Sequence, residues 1–429
     1  MMETLRTFFS FSDPNIVAVV VGAMLLTASS AVVGTFTLLK KKALVGDAVA
    51  HAVLPGICLA FLLSGNKHPL LLIAGAFVTG WISLVLIDYI TAKSKIKEDT
   101  AIALILSVSF GVGILLLTYI QKTGNAAQTG LESFLFGKAA ALVGQDLWVF
   151  GVVAVLLILM VSLFFKELKL IAFDENYAAA LGLPVRALNL LLTSLTVLAV
   201  VTGIQAVGVV LMAAMLITPA AAARFWTNDV LKMTIIAALM GAFSGLAGAF
   251  VSYTAPTMPT GPWIVMIISI IALISFFFAP SRGIISKSIE QQRLQFLIME
   301  ENLLKELYHL GEIDEDPFKR RTIDELIAKR FFPRLPLKSA LGRLRRQGYI
   351  SRKEDGFQLT KEGRTKGKRV VKLHRLWELY LSRYMKIAPD HVHEDAETIE
   401  HVITPALEAE LERLMDYPEL DPHDSKIPY

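Results

Sequence analysis

The sequence carries one cysteine, Cys58, among 429 residues. That excludes a disulfide framework within the chain, and a lone thiol in an apolar run reads as a packing residue. Charge is scarce over the first two thirds: residues 1–285 hold 28 Asp, Glu, Lys and Arg side chains, and residues 286–429 hold 52. No stretch follows G-x-x-x-x-G-K-[ST], so no nucleotide is expected on this chain. The first apolar run begins near Ile16 and meets Lys40, Lys41 and Lys42 instead of a small-residue cleavage site, which predicts that the N-terminus is retained.

What is abundant is apolar sequence. A hydrophobic content of 54% and a mean hydropathy of +0.55 exclude a single soluble domain of ordinary composition. The charge distribution predicts a membrane part and a soluble part that meet near Pro280. About nine spans can be drawn through the first part, near residues 15–39, 43–64, 68–91, 100–120, 144–165, 187–203, 206–223, 231–253 and 262–279. The sixth and seventh are short and nearly fused at Thr202 to Gln205, which suggests one broken or re-entrant unit. Thr218-Pro219-Ala220 reads as a turn at a span end. An outside N-terminus puts every basic cluster, from Lys40–Lys42 to Arg282, on the cytoplasmic side. Small residues such as Gly241, Ser244, Gly245 and Gly248 let such helices approach closely.

One stretch inside this apolar part carries chemistry, from Gly46 to Gly56. Asp47 and His51 are four residues apart and share a helix face. Charged groups in a membrane span are costly and usually face a bundle interior or a polar path. Carboxylate oxygen with imidazole nitrogen suits Mn, Zn or Fe(II). A packing hydrogen bond between helices is the competing reading. Pro55-Gly56 predicts a break or kink close by.

Residues 168–184 read as a short helix on the cytoplasmic side. Asp174 caps it, Tyr177 and the alanines form it, and Gly182-Leu183-Pro184 ends it. Leu131 to Gly137 reads as a surface-lying turn in an outside loop.

The segment from Asp47 through His51 to Pro55-Gly56 resembles the signature of the ABC-3 family of metal-ion permeases. Leu131–Gly137, Phe173–Pro184 and Leu216–Ala223 are similar to family patterns in the same order, and the resemblance covers residues 10–280. It implies an importer of the type II helical architecture in the bacterial cell membrane, with Mn(II), Zn(II) or Fe(II) as cargo. It implies that Asp47 and His51 line the ion path. It also implies that Phe173, Asp174, Tyr177, Ala178, Gly182 and Pro184 belong to a coupling helix seated on a separate ATPase subunit. An extracellular metal-binding protein and a second permease chain follow from the same resemblance.

The last third reads as a cytoplasmic, mostly helical region. A long helix covers about Ile285–Leu310, and Thr322-Ile323-Asp324-Glu325 matches a capping box. A second helix carries Lys338, Arg343, Arg345 and Arg346, and Tyr349–Thr360 reads as a hairpin with Asp355-Gly356 at its turn. Helix, basic helix and hairpin predict a winged helix-turn-helix over 285–360, with those four cations as candidate DNA contacts. A solvated or lipid-facing basic helix is the alternative. Residues 361–429 then read as a helical dimerisation region. Glu397, Glu400 and His401 fall on one helical face, and with His374 they form a candidate N/O metal site.

Residues 299–429 resemble the diphtheria-toxin-repressor family of metal-dependent regulators, especially its manganese-responsive branch, which implies Mn(II) with His374, Glu397, Glu400 and His401 at ligand positions. Two further ligand positions are occupied by Asn302 and Lys305, with Glu301 and Glu306 one residue away. Lys305 there would repel a metal. Two functions follow for the whole chain: a metal-importing permease with a regulatory or dimerising cytoplasmic domain, or a membrane-tethered or released DNA-binding regulator. A purely structural role for the domain is a third.

Overall fold

In the computed structural model the chain divides into two compact units, residues 1–286 and 287–429. The structure describes residues 7–10, 13–66, 68–122, 144–254, 259–329, 333–353, 356–386, 401 and 403–429. Leu131–Gly137 lies outside them, as do Glu397 and Glu400.

The first unit is a helical bundle among the described residues. Its elements are α1 (Pro14–Leu39), α2 (Val45–Ala52), α3 (Leu54–Ser64), α4 (Pro69–Lys93), α5 (Glu98–Lys122) and α6 (Gly144–Leu163). Then come α7 (Phe165–Phe173), α8 (Glu175–Ala180), α9 (Val185–Val207), α10 (Val209–Arg224), α11 (Val230–Thr254) and α12 (Thr260–Phe278). Among the described residues, seven segments are long and apolar enough to span a membrane, with Val45–Ser64 counted as one; α6 and α7 form a further pair bent by 70°. The chain is thus a multi-pass, mostly α membrane bundle followed by a distinct globular unit.

Helix α1 is the centre of the bundle and packs against α6, α9, α10 and α11. Asp13 opens it by accepting the Asn15 N–H at 2.8 Å, and Pro14 occupies the first turn, where no intrahelical N–H is needed. Among its buried hydroxyls, Thr27 donates to the Ala23 carbonyl (2.8 Å) and Thr35 to that of Ala31 (2.9 Å). That internal pairing is what a nonaqueous surrounding demands. Gly34 lets α10 come close, because a Cβ there would run into the Leu216 carbonyl.

The structure corrects two details of the sequence reading. The chain breaks between α9 and α10 at Gly208, whose φ of +94° suits glycine, and not at Thr202–Gln205. Gly203 stays helical and lies against Met212. Pro219 sits inside α10, which continues to Arg224, so Thr218–Ala220 is no turn.

The second unit holds all but the first three residues of α13 (Ile284–Ile313), then α14 (Ile323–Lys329), α15 (Arg334–Arg346), β1 (Ile350–Lys353), β2 (Gly356–Leu359), α16 (Lys361–Tyr384) and α17 (Pro405–Leu414). Thr322 and Glu325 form the expected capping box: the Thr322 N–H donates to Glu325 Oε2 (3.1 Å), and the Glu325 N–H to Thr322 Oγ1 (3.3 Å). β1 and β2 pair antiparallel with Lys353 opposite Gly356, so Gly356 opens the second strand. Leu304, Leu326, Leu337, Leu341, Leu344 and Leu359 share one core under the hairpin.

Polar side chains join α16 to α17. Lys372 reaches Glu408 and Glu412, each at 2.6 Å, and Arg369 Nη2 lies 2.8 Å from Glu408. Burial pushes the Glu408 carboxyl up, but the hydrogen bonds from Lys372 and Arg369 outweigh it and hold it below the ordinary range. A lowered folded-state value stabilises above the ordinary carboxylate pKa and is lost as pH falls through the lowered value. Glu408→Gln is expected to weaken this contact by about 1.5–3 kcal/mol, seen as faster hydrogen exchange over residues 405–414 at neutral pH. Glu410→Gln, whose exposed partner Arg413 is on the same helix, should change it little.

Candidate functional site

Helix α2 buries Val45, Gly46, Ala48, Val49, Ala50 and Ala52, and leaves Asp47 and His51 together on its other face. His51 Nε2 stands 3.6 Å from Asp47 Oδ1, with 26% of the imidazole and 47% of the carboxylate side chain exposed. That separation is too long for a hydrogen bond. Both groups come from one helix, and no hydrogen bond from either side chain to another helix occurs among the described residues. The His51 ring meets the edge or face of Phe110 on α5 at 5.4 Å and 89°. Pro55 has no N–H for the His51 carbonyl, its i−4 partner. The interruption is local, since Val53 keeps helical dihedrals (φ −78°, ψ −21°) and α3 follows at once. No group of three or more His, Cys, Asp or Glu able to hold a metal occurs among the described residues. One chain thus offers two ligands at this place.

The predicted cytoplasmic helix is α8. The Asp174 side chain accepts the Tyr177 N–H at 2.9 Å, and Gly182 (φ +80°) ends the turn before Pro184 leads into α9. Ala178 is buried, while Tyr177 and Leu181, four residues apart on the turn of α8, are exposed, as is Phe173 at the end of α7. Sequence reasoning missed how this helix is held. Lys40, at the end of α1, donates to Glu175 Oε1 at 2.6 Å and also to Asn189 on α9. That bond from Lys40 holds the Glu175 carboxyl below its ordinary range. Lys42, in the same loop, pairs with Asp88 of α4 at 2.6 Å. The loop leads directly into α2, so α8 is tied to the chain seven residues before Asp47. No local pattern announces a contact spanning 135 positions.

In the second unit, Lys338, Arg345 and Arg346 are exposed. Arg343 is instead turned onto Glu300 and lies over the Phe296 ring at 4.2 Å. His374 is buried; its Nε2 is 3.1 Å from Glu378 Oε1, and its Nδ1 is 3.4 Å from the Lys305 ammonium. His401 Nδ1 is 2.7 Å from Glu301 Oε2, so Glu301, one position off the expected one, is the carboxylate that meets a histidine. Buried Asn302 has an Oδ1 with no hydrogen-bond partner among the described residues, a feature that favours a bound group. The ammonium opposes it. Unit charges about 4 Å apart interact by about 4 kcal/mol at an effective dielectric of ~20, and a divalent ion doubles that. The described residues do not fit a metal on His374.

A bundle of membrane-spanning helices with a paired carboxylate and imidazole on an otherwise apolar helix defines a membrane permease. The ABC 3 transport family model matches residues 12–279, and the chain belongs to that family. A second model, the iron dependent repressor metal binding and dimerisation domain, matches residues 360–429. The manganese transport system membrane protein MntC of Bacillus subtilis is 43% identical over 389 residues, 90% of this chain and 88% of that protein. The zinc transport system membrane protein TroC of Treponema pallidum is 42% identical over 287 residues, 67% of this chain and 96% of that protein. Among solved structures, PsaBC from Streptococcus pneumoniae in complex with Fab is 33% identical with a TM-score of 0.59, covering 67% of this chain and 99% of that one. The chain is a permease subunit and carries no ATPase domain of its own.

Proposed function

We propose that this chain passes a divalent transition metal, Mn(II), across the membrane in an ATP-driven importer. The observation that carries the reading is the Asp47–His51 pair, half exposed and unbonded on a helix that is otherwise apolar and buried. An ion moving past it trades waters for one carboxylate oxygen and one imidazole nitrogen, ligands that suit Mn, Zn and Fe(II) alike. Manganese is favoured by the relative that matches along 90% of the chain. Two ligands are few for one ion, so a second permease chain facing the first supplies the rest of the site. The exposed Phe173, Tyr177 and Leu181 dock a separate ATPase subunit, and an extracellular metal-binding protein delivers the ion. Counting α6 and the short α10 as crossings brings the spans to about nine, with the second unit in the cytoplasm.

The second unit divides at about residue 360 into a winged helix and a helical dimerisation region. Exposed Lys338, Arg345 and Arg346 favour a second reading, in which the winged helix binds DNA; Arg343, held by Glu300, would not take part. Loss of a salt-sensitive gel shift in Arg345→Glu would support it, and no shift at all would remove it.

The test of the first reading is uptake by vesicles containing the chain and its co-purified ATPase. ATP-driven entry of Mn(II) is expected. No associated ATPase and no metal flux would overturn the proposal.

A further inference from the structure

The family model matched to residues 360–429 is described as metal-binding, yet the position facing His374 is filled by a side chain of this protein. We infer that the second unit is assembled around its own cation, the Lys305 ammonium, and takes no metal on His374.

Asn302 and Lys305 are three residues apart on α13, so they share a face, and both are buried. A buried ammonium is costly unless something receives it. Here the imidazole of His374 is one group that does. Its Nε2–H donates to the Glu378 carboxylate, which is 2% exposed, and that leaves the Nδ1 lone pair to accept from Lys305. A metal on Nδ1 would have to expel the ammonium from the lone pair it needs. The second histidine has the same kinds of neighbour in another order, with the lysine beside the carboxylate. His401 pairs with Glu301, and Lys366 Nζ lies 3.9 Å from the same carboxylate. In both clusters a histidine and a carboxylate are accompanied by a lysine of the chain. These contacts join α13 to α16 and to residue 401 whatever the metal supply. The inference concerns this unit alone and stands apart from the permease reading.

The experiment uses the full chain in lipid nanodiscs, titrated with Mn(II) and followed by electron paramagnetic resonance. His374→Ala is expected to bind as much Mn(II) as the unaltered chain. Hydrogen exchange over residues 361–384 is expected to be the same in Mn(II) and in chelator. The double change Asn302→Asp with Lys305→Glu supplies two carboxylates and should add an equivalent of bound Mn(II), lost again with His374→Ala. Loss of an equivalent in His374→Ala alone, or faster exchange over 361–384 in chelator, would overturn the inference. So would a folded double variant that gains no metal. If that variant does not fold, the first two comparisons decide.

Discussion

His51→Ala is expected to lower ATP-driven Mn(II) uptake by about 100-fold or more, beyond the roughly 10–100-fold that loss of a supporting outer-shell partner costs a metal site. Folding should hardly notice. The imidazole is partly exposed, makes no hydrogen bond with Asp47 at 3.6 Å, and packs on the ring of Phe110. Its removal should cost under about 1 kcal/mol, so the variant should reach the membrane in normal amounts. Asp47→Asn keeps an oxygen ligand and removes the charge, so its defect should be smaller than that of Asp47→Ala. Vesicle uptake, normalised to protein in the membrane, separates these cases. If His51→Ala and Asp47→Ala both transported normally, the pair would be structural.

Lys40→Glu is expected to separate ATP hydrolysis from transport. The change turns the attraction to Glu175 into a repulsion at the point where α8 meets the loop leading into α2. Glu175 is about half exposed, so screening keeps the swing near 2 kcal/mol, roughly thirtyfold in an equilibrium. Hydrolysis by the assembled complex should continue while Mn(II) moved per ATP falls about tenfold or more. Exchanging the charges, Lys40→Glu with Glu175→Lys, should restore most of it. A docking defect would look different, because the ATPase would no longer co-purify. Normal ion movement per ATP in Lys40→Glu would remove this link from the account.

Local chemistry made much of this legible in the sequence. The Thr322–Glu325 box, the Asp174 cap and the Gly182-Leu183-Pro184 stop each depend on a few neighbouring residues, and each stands as read. The Asp47–His51 spacing needed only a helix. What was illegible depends on tertiary partners. The break looked to fall at Thr202–Gln205, but Gly203 is held helical against Met212, and the break falls on Gly208. Arg343 looked like its neighbours until Glu300, from a helix 43 positions earlier, claimed it. Lys40 and Glu175 give no sequence sign of each other. In the second unit the sequence placed Lys305 beside the histidines, but only the structure shows His374 accepting it.

The most direct measurement is an anomalous difference map at the manganese absorption edge, from crystals of the permease–ATPase complex soaked in Mn(II). The account predicts a peak bound by the Asp47 carboxylate and the His51 imidazole. A well-occupied peak elsewhere along the bundle, with none between those two side chains, would contradict it.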